Sequence, residues 1–401
     1  MPEAVIVAAG RTPIGRAVKG SLVDCRPDDL ATHVVKAVLD KVPQLDPATV
    51  EDVILGCAQP AGESGYNIAR VVAVMAGLMD VPGVTVNRYC SSSLQAIRMA
   101  AHAIKAGEGD VFVAAGVETV SRYGHGAADV GPHNPVFADA EARTAARAPK
   151  VTEAWTPPAG LPDIYIAMGQ TAENVAELEH VTRQEMDEFA LLSQTRAVES
   201  QENGFFEREI IPVTTPGGTV VVKDDGPRPN TTLEGLAQLK PVFREGGTVT
   251  AGNACPLNDG AAAVIVMSDT RANELGVAPL ARIVASGVSG VDPEIMGLGP
   301  VEAIRQTLGR AGMSIDDVDL VEINEAFAAQ VIPSARRLGI SWDKLNVHGG
   351  AIALGHPFGQ TGARIMTTLL NGLEDGDKTI GLESMCVGGG QGMAMVVERL
   401  S

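Results

Sequence analysis

Val86-Asn-Arg-Tyr-Cys90-Ser-Ser-Ser-Leu-Gln-Ala96 decides how this chain is read. An apolar run, 84–87, reads as a buried strand and breaks into small polar residues. Leu94, Ile97, Ala101 and Ile104 then recur at helical spacing. A strand that turns directly into a helix is a building unit of an α/β fold, and it sets Cys90 at a helix N-terminus. Unpaired backbone N–H groups and partial positive charge at that end lower a thiol's pKa and can hold an oxyanion. The expectation is therefore a nucleophilic Cys90 with a lowered pKa.

The same alternation runs outward from this stretch. Residues 5–9, 53–55, 111–115 and 262–267 read as strands, and 27–42 as a helix with Leu30, Val34 and Val38 on one face. From 121 to 165 Gly, Pro, Ala and charge dominate without a period. A helix follows at about 182–203, opened by a capping box of Thr182 and Glu185. Residues 212–250 alternate turns with short apolar runs. We expect an N-terminal half in two parts (1–120 and 251–270), an inserted loop domain (121–250) and a C-terminal half (271–401). Val50-Glu-Asp-Val-Ile-Leu-Gly-Cys-Ala58 parallels Val318-Asp-Leu-Val-Glu-Ile-Asn-Glu-Ala326, so the halves read as duplicates. Duplication would set Cys90 and the loop at 348–359 on a shared face, where α/β sheets bind ligands.

Composition narrows the partners. The formal net charge is −18 and aromatics are 3% of 401 residues. That balance argues against nucleic acid and anionic membranes, so an anionic ligand needs a local basic pocket. No apolar run approaches the roughly 20 residues that span a bilayer. The start, Met-Pro-Glu-Ala-Val-Ile-Val, lacks a basic leader pattern. Cys25, Cys57, Cys90, Cys255 and Cys386 are dispersed, without metal-knuckle or redox spacing. Reduced thiols in the cytoplasm are expected. Neither a phosphate loop, a dinucleotide fingerprint nor a metal set is present in the sequence.

Two later segments answer Cys90. His356 lies in the glycine-rich run 349–362, where Pro357 restricts its backbone, which suits a general base or oxyanion donor. A single histidine is more often structural. Cys386 precedes Gly388-Gly-Gly-Gln-Gly392, which lets backbone pass close to a substrate or simply turns between two strands. Asn324 and Glu325 end an apolar run, where Asn324 could equally cap a helix.

Taken with Gly10-Arg-Thr-Pro-Ile-Gly-Arg16, Thr250-Ala-Gly-Asn253, Asn258-Asp-Gly-Ala-Ala262, Asn324-Glu-Ala-Phe-Ala328 and Gly355-His-Pro-Phe-Gly359, these segments make the whole chain resemble the thiolase family. The resemblance implies two similar α/β halves in a layered α-β-α-β-α arrangement with an inserted loop domain, and a homodimer or homotetramer. It implies that Cys90 is acylated, that His356 takes its proton and that Cys386 moves the proton at the α-carbon. It implies that Asn324 holds a water in one oxyanion hole, and that the N–H groups of Cys90 and Gly388 form the other. Coenzyme A would be a co-substrate rather than a bound cofactor, with Arg228 near its nucleotide and Ala251 along its pantetheine. Substrates would be 3-ketoacyl-CoA, acetyl-CoA and CoA, as in β-oxidation of fatty acids. Cys255 stands where many relatives have Ser, which weakens a pantetheine hydrogen bond. Ala167, before Met168, stands where acetoacetyl-CoA-specific relatives carry His, which points to a larger acyl group and to degradation. His348 stands where relatives have Asn or His.

Three rivals share some of these features. One is an acetoacetyl-CoA-forming acetyltransferase. A second is a decarboxylating ketoacyl synthase, which generally lacks a thiol at the place of Cys386. The third is a non-catalytic acyl-CoA-binding protein, which needs none of the three groups.

Overall fold

Ala4–Arg11 (β1) is buried along its whole length, as an apolar strand covered on both faces must be. The computed structural model describes residues 2–149 and 154–401. The first half adds Gly15–Arg16 (β2), Asp52–Gly56 (β3), Gly83–Val86 (β4) and Val111–Thr119 (β5). The inserted segment holds a two-stranded ribbon, Val213–Thr214 (β6) and Val220–Val221 (β7). The chain then gives Asn258–Ser268 (β8), Ala281–Gly290 (β9), Leu320–Ile323 (β10), Ile380–Val387 (β11) and Gln391–Arg399 (β12).

The main sheet runs β10-β11-β12-β9-β1-β8-β5-β3-β4, with β2 beside β8. Outward from the centre, β1-β8-β5-β3 pair antiparallel, antiparallel and parallel. Strands β9-β12-β11-β10 repeat that series. The halves join where Val5 and Ile6 face Arg282 and Ala281. β3 and β10 occupy equivalent places, and they carry the two segments that parallel each other in sequence.

Helices Pro27–Asp40 (α1), Ile68–Met75 (α2) and Ser92–Ala106 (α3) belong to the first half. Ala138–Arg147 (α4), Met168–Leu178 (α5), Arg183–Glu202 (α6) and Leu233–Ala237 (α7) lie in the insertion. Asp269–Leu275 (α8), Gly299–Ala311 (α9), Ala328–Leu338 (α10), Ala351–Leu354 (α11) and Thr361–Asp375 (α12) follow. Strand periodicity sorts side chains between layers. On β8, Ala263 and Ile265 pack outward with Val34 and Val38 of α1. Val264 and Val266 pack inward with Ile97 of α3 and Ile365 of α12. On β12, Met393 and Met395 join that central layer, while Val396 packs outward with Ile304 of α9 and Val331 of α10. Five layers result, with α3 and α12 in the middle.

The capping box of α6 forms as expected, Thr182 and Glu185 each binding the other's backbone N–H. Helices α4 and α5 were not legible in the sequence. Only Ala140 of α4 is buried. α5 is buried almost all round, polar residues included, so burial does not follow its apolar positions alone. Glu173 of α5 accepts the N–H groups of Thr248 and Val249 at 3.0 and 2.9 Å, which is why a carboxylate can be buried there. Arg11 is structural: it is fully buried, with Glu209 at 2.6 Å and Asp224 at 2.7 and 2.9 Å, and ties β1 to the insertion.

Candidate active site

The polar residues around Cys90 first serve the turn itself. Tyr89 takes a positive φ of 43°, a strained conformation for a bulky residue. Asn87 Oδ1 accepts the Tyr89 N–H at 2.8 Å, and Ser92 Oγ donates to the Tyr89 carbonyl at 2.7 Å. Ser93 Oγ accepts the Ala363 N–H at 2.9 Å, so α3 caps the first turn of α12. Gly116 and Gly362 let these backbones meet. A Cβ on Gly116 would stand 2.0 Å from the Gly359 carbonyl, and one on Gly362 2.4 Å from the Leu94 nitrogen.

Glu118, at the end of β5, pins the loops around this junction. Its carboxylate accepts the N–H groups of Ala58, Gln59 and Gly359 at 2.9, 3.2 and 2.9 Å and the Tyr123 hydroxyl at 3.0 Å. Burial raises its pKa, and those donors oppose the rise. Sequence reasoning missed this residue; its signal was a lone acid closing an otherwise apolar strand.

His356 is fixed from both sides. Asn258 Oδ1 accepts its backbone N–H at 2.9 Å. The Thr361 hydroxyl lies 2.6 Å from Nδ1 and donates its own proton to the Pro357 carbonyl at 2.8 Å. The hydroxyl can therefore only accept from Nδ1–H, which leaves Nε2 as the basic nitrogen. Asn324 Nδ2 lies 3.2 Å from Nε2. Burial, helped by Arg364, brings the imidazole down to about 3, so it is neutral. Asn324 does not cap a helix: α10 starts at Ala328, and the Asn324 N–H donates to the Ser384 carbonyl at 2.9 Å. Its Oδ1 is buried and has no partner among the described residues. Glu325 organises the glycine loop instead, accepting Ser193 Oγ at 2.6 Å, Asn346 Nδ2 at 2.8 Å and the Ile352 N–H at 3.1 Å.

Cys386 lies on β11 opposite Gly392 of β12, and residues 388–390 make the hairpin turn. The plain-turn reading is therefore true, yet the turn also reaches Cys90. The Gly388 N–H and the Cys90 N–H both approach the Cys90 thiol. Cys386 is fully buried and feels the charges of Cys90 and Cys255. All five cysteines are free thiols.

One expectation is corrected here. Cys90 is not a low-pKa thiol: burial pushes it up to about 12, and its two N–H groups only partly offset that. Desolvation of the anion outweighs two backbone dipoles when the thiol is held among apolar walls. The resting pair is thus a neutral thiol and a neutral imidazole.

Two cavities lie near this centre, one at Cys90 and one at Cys255, whose thiol feels the charge of Cys90. One, of about 180 Å³, is lined by Cys90, Gly388, Tyr89, Ile164, Ile166, Met168 and Phe358, with Gln59 and Asp129. The other, of about 360 Å³, is lined by Cys255, Ala251, Thr250, Phe243 and Leu236, with Arg16, Lys19 and Arg228. None of these three cations has a carboxylate partner within salt-bridge distance among the described residues. Arg16 and Lys19 were not singled out in the sequence. Asn253 shapes the second cavity's wall by accepting the Thr250 N–H at 2.8 Å. Burial raises the Cys255 thiol well above its ordinary value. Five sequence-predicted residues line neither cavity: His356, Asn324 and Cys386, which are buried, and Ala167 and His348. Ala167 is exposed at the N-cap of α5, and its neighbours Ile166 and Met168 do the lining. His348 stacks on Phe205 at 3.5 Å and meets Ser200 Oγ at 3.1 Å, because its strand of loop turns toward α6.

Family models match both parts of the chain. One described as "Thiolase, N-terminal domain" matches residues 4–270, and one described as "Thiolase, C-terminal domain" matches 277–399. The chain is 45% identical to a β-ketoadipyl-CoA thiolase of Acinetobacter baylyi, over 100% of both chains. It is 43% identical to a 3-ketoacyl-CoA thiolase of Saccharophagus degradans, over 99% of this chain and 98% of that one. Among solved structures, it is similar to the Bacillus anthracis acetyl-CoA acetyltransferase, with a TM-score of 0.86 and 40% identity, covering 100% of this chain and 99% of that one.

Proposed function

This chain belongs to the thiolase family, and we propose that Cys90, His356 and Cys386 carry out reversible thiolysis of 3-ketoacyl-CoA, in the degradative direction. It is an enzyme, a thiolytic acyl-CoA C-acyltransferase. The supporting observation is the convergence on Cys90 of the Gly388 N–H and the Cys386 thiol.

In this reading the Cys90 thiol gives its proton to His356 Nε2 as sulfur attacks the keto carbon. The carbon–carbon bond breaks, and the electron pair passes to an acetyl-CoA enolate. Cys386 protonates the enolate carbon and becomes a thiolate. That thiolate takes the proton of incoming CoA, whose sulfur attacks the acyl group on Cys90. His356 returns its proton to Cys90. Starting from neutral groups suits this order, since no ion pair waits in a dry site. The N–H groups of Cys90 and Gly388 hold the oxygen of the acyl-cysteine, and losing such a donor costs about 2.7–4 kcal/mol. The unpartnered Asn324 Oδ1 accepts from a water that, with His356, faces the thioester oxygen.

Arg16, Lys19 and Arg228 supply the local cations that an acidic protein needs for the CoA phosphates. Pantetheine runs past Ala251 toward Cys255 and Cys90. An acetyl-transferring role, as named for the Bacillus anthracis protein, requires little room beyond Cys90. The cavity of about 180 Å³ there favours a longer acyl group. No helix among the described residues is long and apolar enough to cross a membrane, and five free thiols suit the cytoplasm. Two or four copies assemble, and the outer edge of β4, unpaired among the described residues, suits such pairing.

Incubation with 3-ketoacyl-CoA in the absence of free CoA, followed by peptide mass spectrometry, tests the chemistry. An acyl adduct on Cys90 is expected. An adduct on another residue with Cys90 unmodified overturns the mechanism.

A further inference from the structure

We propose that the cavity beyond Cys90 selects acyl groups with an uncharged end, and that Asp129 rejects chains ending in a carboxylate; this rests on the thiolase reading above. Ile164, Ile166, Met168 and Phe358 give the cavity apolar walls. Among the described residues that line it, Asp129 is the one charged side chain. Its carboxylate is exposed, with no ion pair to another described residue. Its backbone is held: the N–H groups of Asp129 and Ala128 donate to Gln59 Oε1 at 2.6 and 2.7 Å. Gln59 is itself anchored through its N–H to Glu118, the carboxylate that pins the loop after His356. The backbone that carries this charge is therefore held beside the cavity, and Tyr89 next to Cys90 feels the charge.

Three cations of the inserted segment are already engaged by carboxylates. Arg122 makes two hydrogen bonds to Glu63, at 2.5 and 2.6 Å. Arg143 pairs with Glu294. His133, stacked on Tyr165 at 3.8 Å, pairs with Glu141 at 2.9 Å. A terminal carboxylate entering this space would lose water, find no cation among the described residues that line it and meet a like charge. An unfavourable contact of this kind is a common source of specificity. Overall identity to a β-ketoadipyl-CoA thiolase does not carry that enzyme's acid-ended substrate into this pocket.

Matched probes of equal length test it: 3-ketohexanoyl-CoA and 3-ketoadipyl-CoA, with wild type, Asp129→Asn and Asp129→Lys. The readout is the ratio of kcat/KM for the two substrates. Wild type is expected to favour 3-ketohexanoyl-CoA by at least about tenfold. Both variants should move the ratio toward 3-ketoadipyl-CoA, Asp129→Lys by about tenfold or more. A purely structural role for Asp129 would lower both rates together and leave the ratio fixed, which overturns the assignment. Wild type cleaving 3-ketoadipyl-CoA as well as its methyl-ended partner also overturns it. Cleavage of neither substrate overturns the thiolase reading itself, and this proposal with it.

Discussion

Alkylation of Cys90 across pH reads the site's resting state directly. A thiol held at about 12 is ionised to only about 10⁻⁴ at pH 8, against roughly 0.2 for an ordinary cysteine near 8.5, a deficit of about 10³ in reactive thiolate. The assay is iodoacetamide labelling under initial-rate conditions, with the Cys90 peptide quantified by mass spectrometry. Cys386 is fully buried and serves as an internal control for opening of the fold. Between about pH 7 and about pH 10 the Cys90 rate should climb about tenfold per unit without a plateau. The slope, unlike the absolute rate, is independent of how easily reagent enters. His356→Asn should leave that slope unchanged, because a group lowered to about 3 is neutral throughout. The folded thiol ionises above its unfolded value. Its contribution to stability is therefore complete below about 8.5 and is lost as pH rises toward 12. A rate plateau with its midpoint below about pH 8 would mean a preformed thiolate, and would refute the claim that burial outweighs the turn's N–H groups.

Other outcomes follow from the same geometry. Glu118→Ala strands three backbone N–H groups, at about 1–3 kcal/mol each, so urea unfolding should show at least about 3 kcal/mol lost; a change under 1 kcal/mol, about the size of one ordinary hydrogen bond, contradicts the pinning role. Thr361→Val removes the acceptor that sets the His356 tautomer, so kcat should fall about 10²-fold with the melting temperature nearly kept, and Thr361→Ser should restore it. Full activity in Thr361→Val would remove Thr361 from the account. Arg228→Ala and Arg16→Ala should each raise KM for CoA several-fold, by roughly 1 kcal/mol, with kcat held, and should flatten the salt dependence of KM; an unchanged KM would place the phosphates elsewhere.

Much of the architecture was legible because its segments obey simple periods. The strand-to-helix turn at Cys90, the strands β1, β3, β5 and β8, and the capping box of α6 all follow from local pattern. So did the pairing of 50–58 with 318–326, which the mirrored order of β3 and β10 explains. The insertion was opaque where α5 is buried on nearly every side, since its polar residues are satisfied by distant groups such as Thr248. Glu118 was invisible for the same reason: its donors come from Ala58, Gln59 and Gly359.

By itself, then, the sequence determined which chemistry was available: two thiols, an imidazole and a glycine turn, each at the end of an apolar run. Those identities are covalent, and their local order needs no partner. Tertiary structure decided their protonation and their company. Burial holds Cys90 as a thiol and His356 as a neutral base, Thr361 selects the tautomer, and Asp129 brings a charge to the cavity at Cys90. Ionisation and hydrogen bonding depend on which atoms replace water around a group, and only the folded chain supplies those atoms.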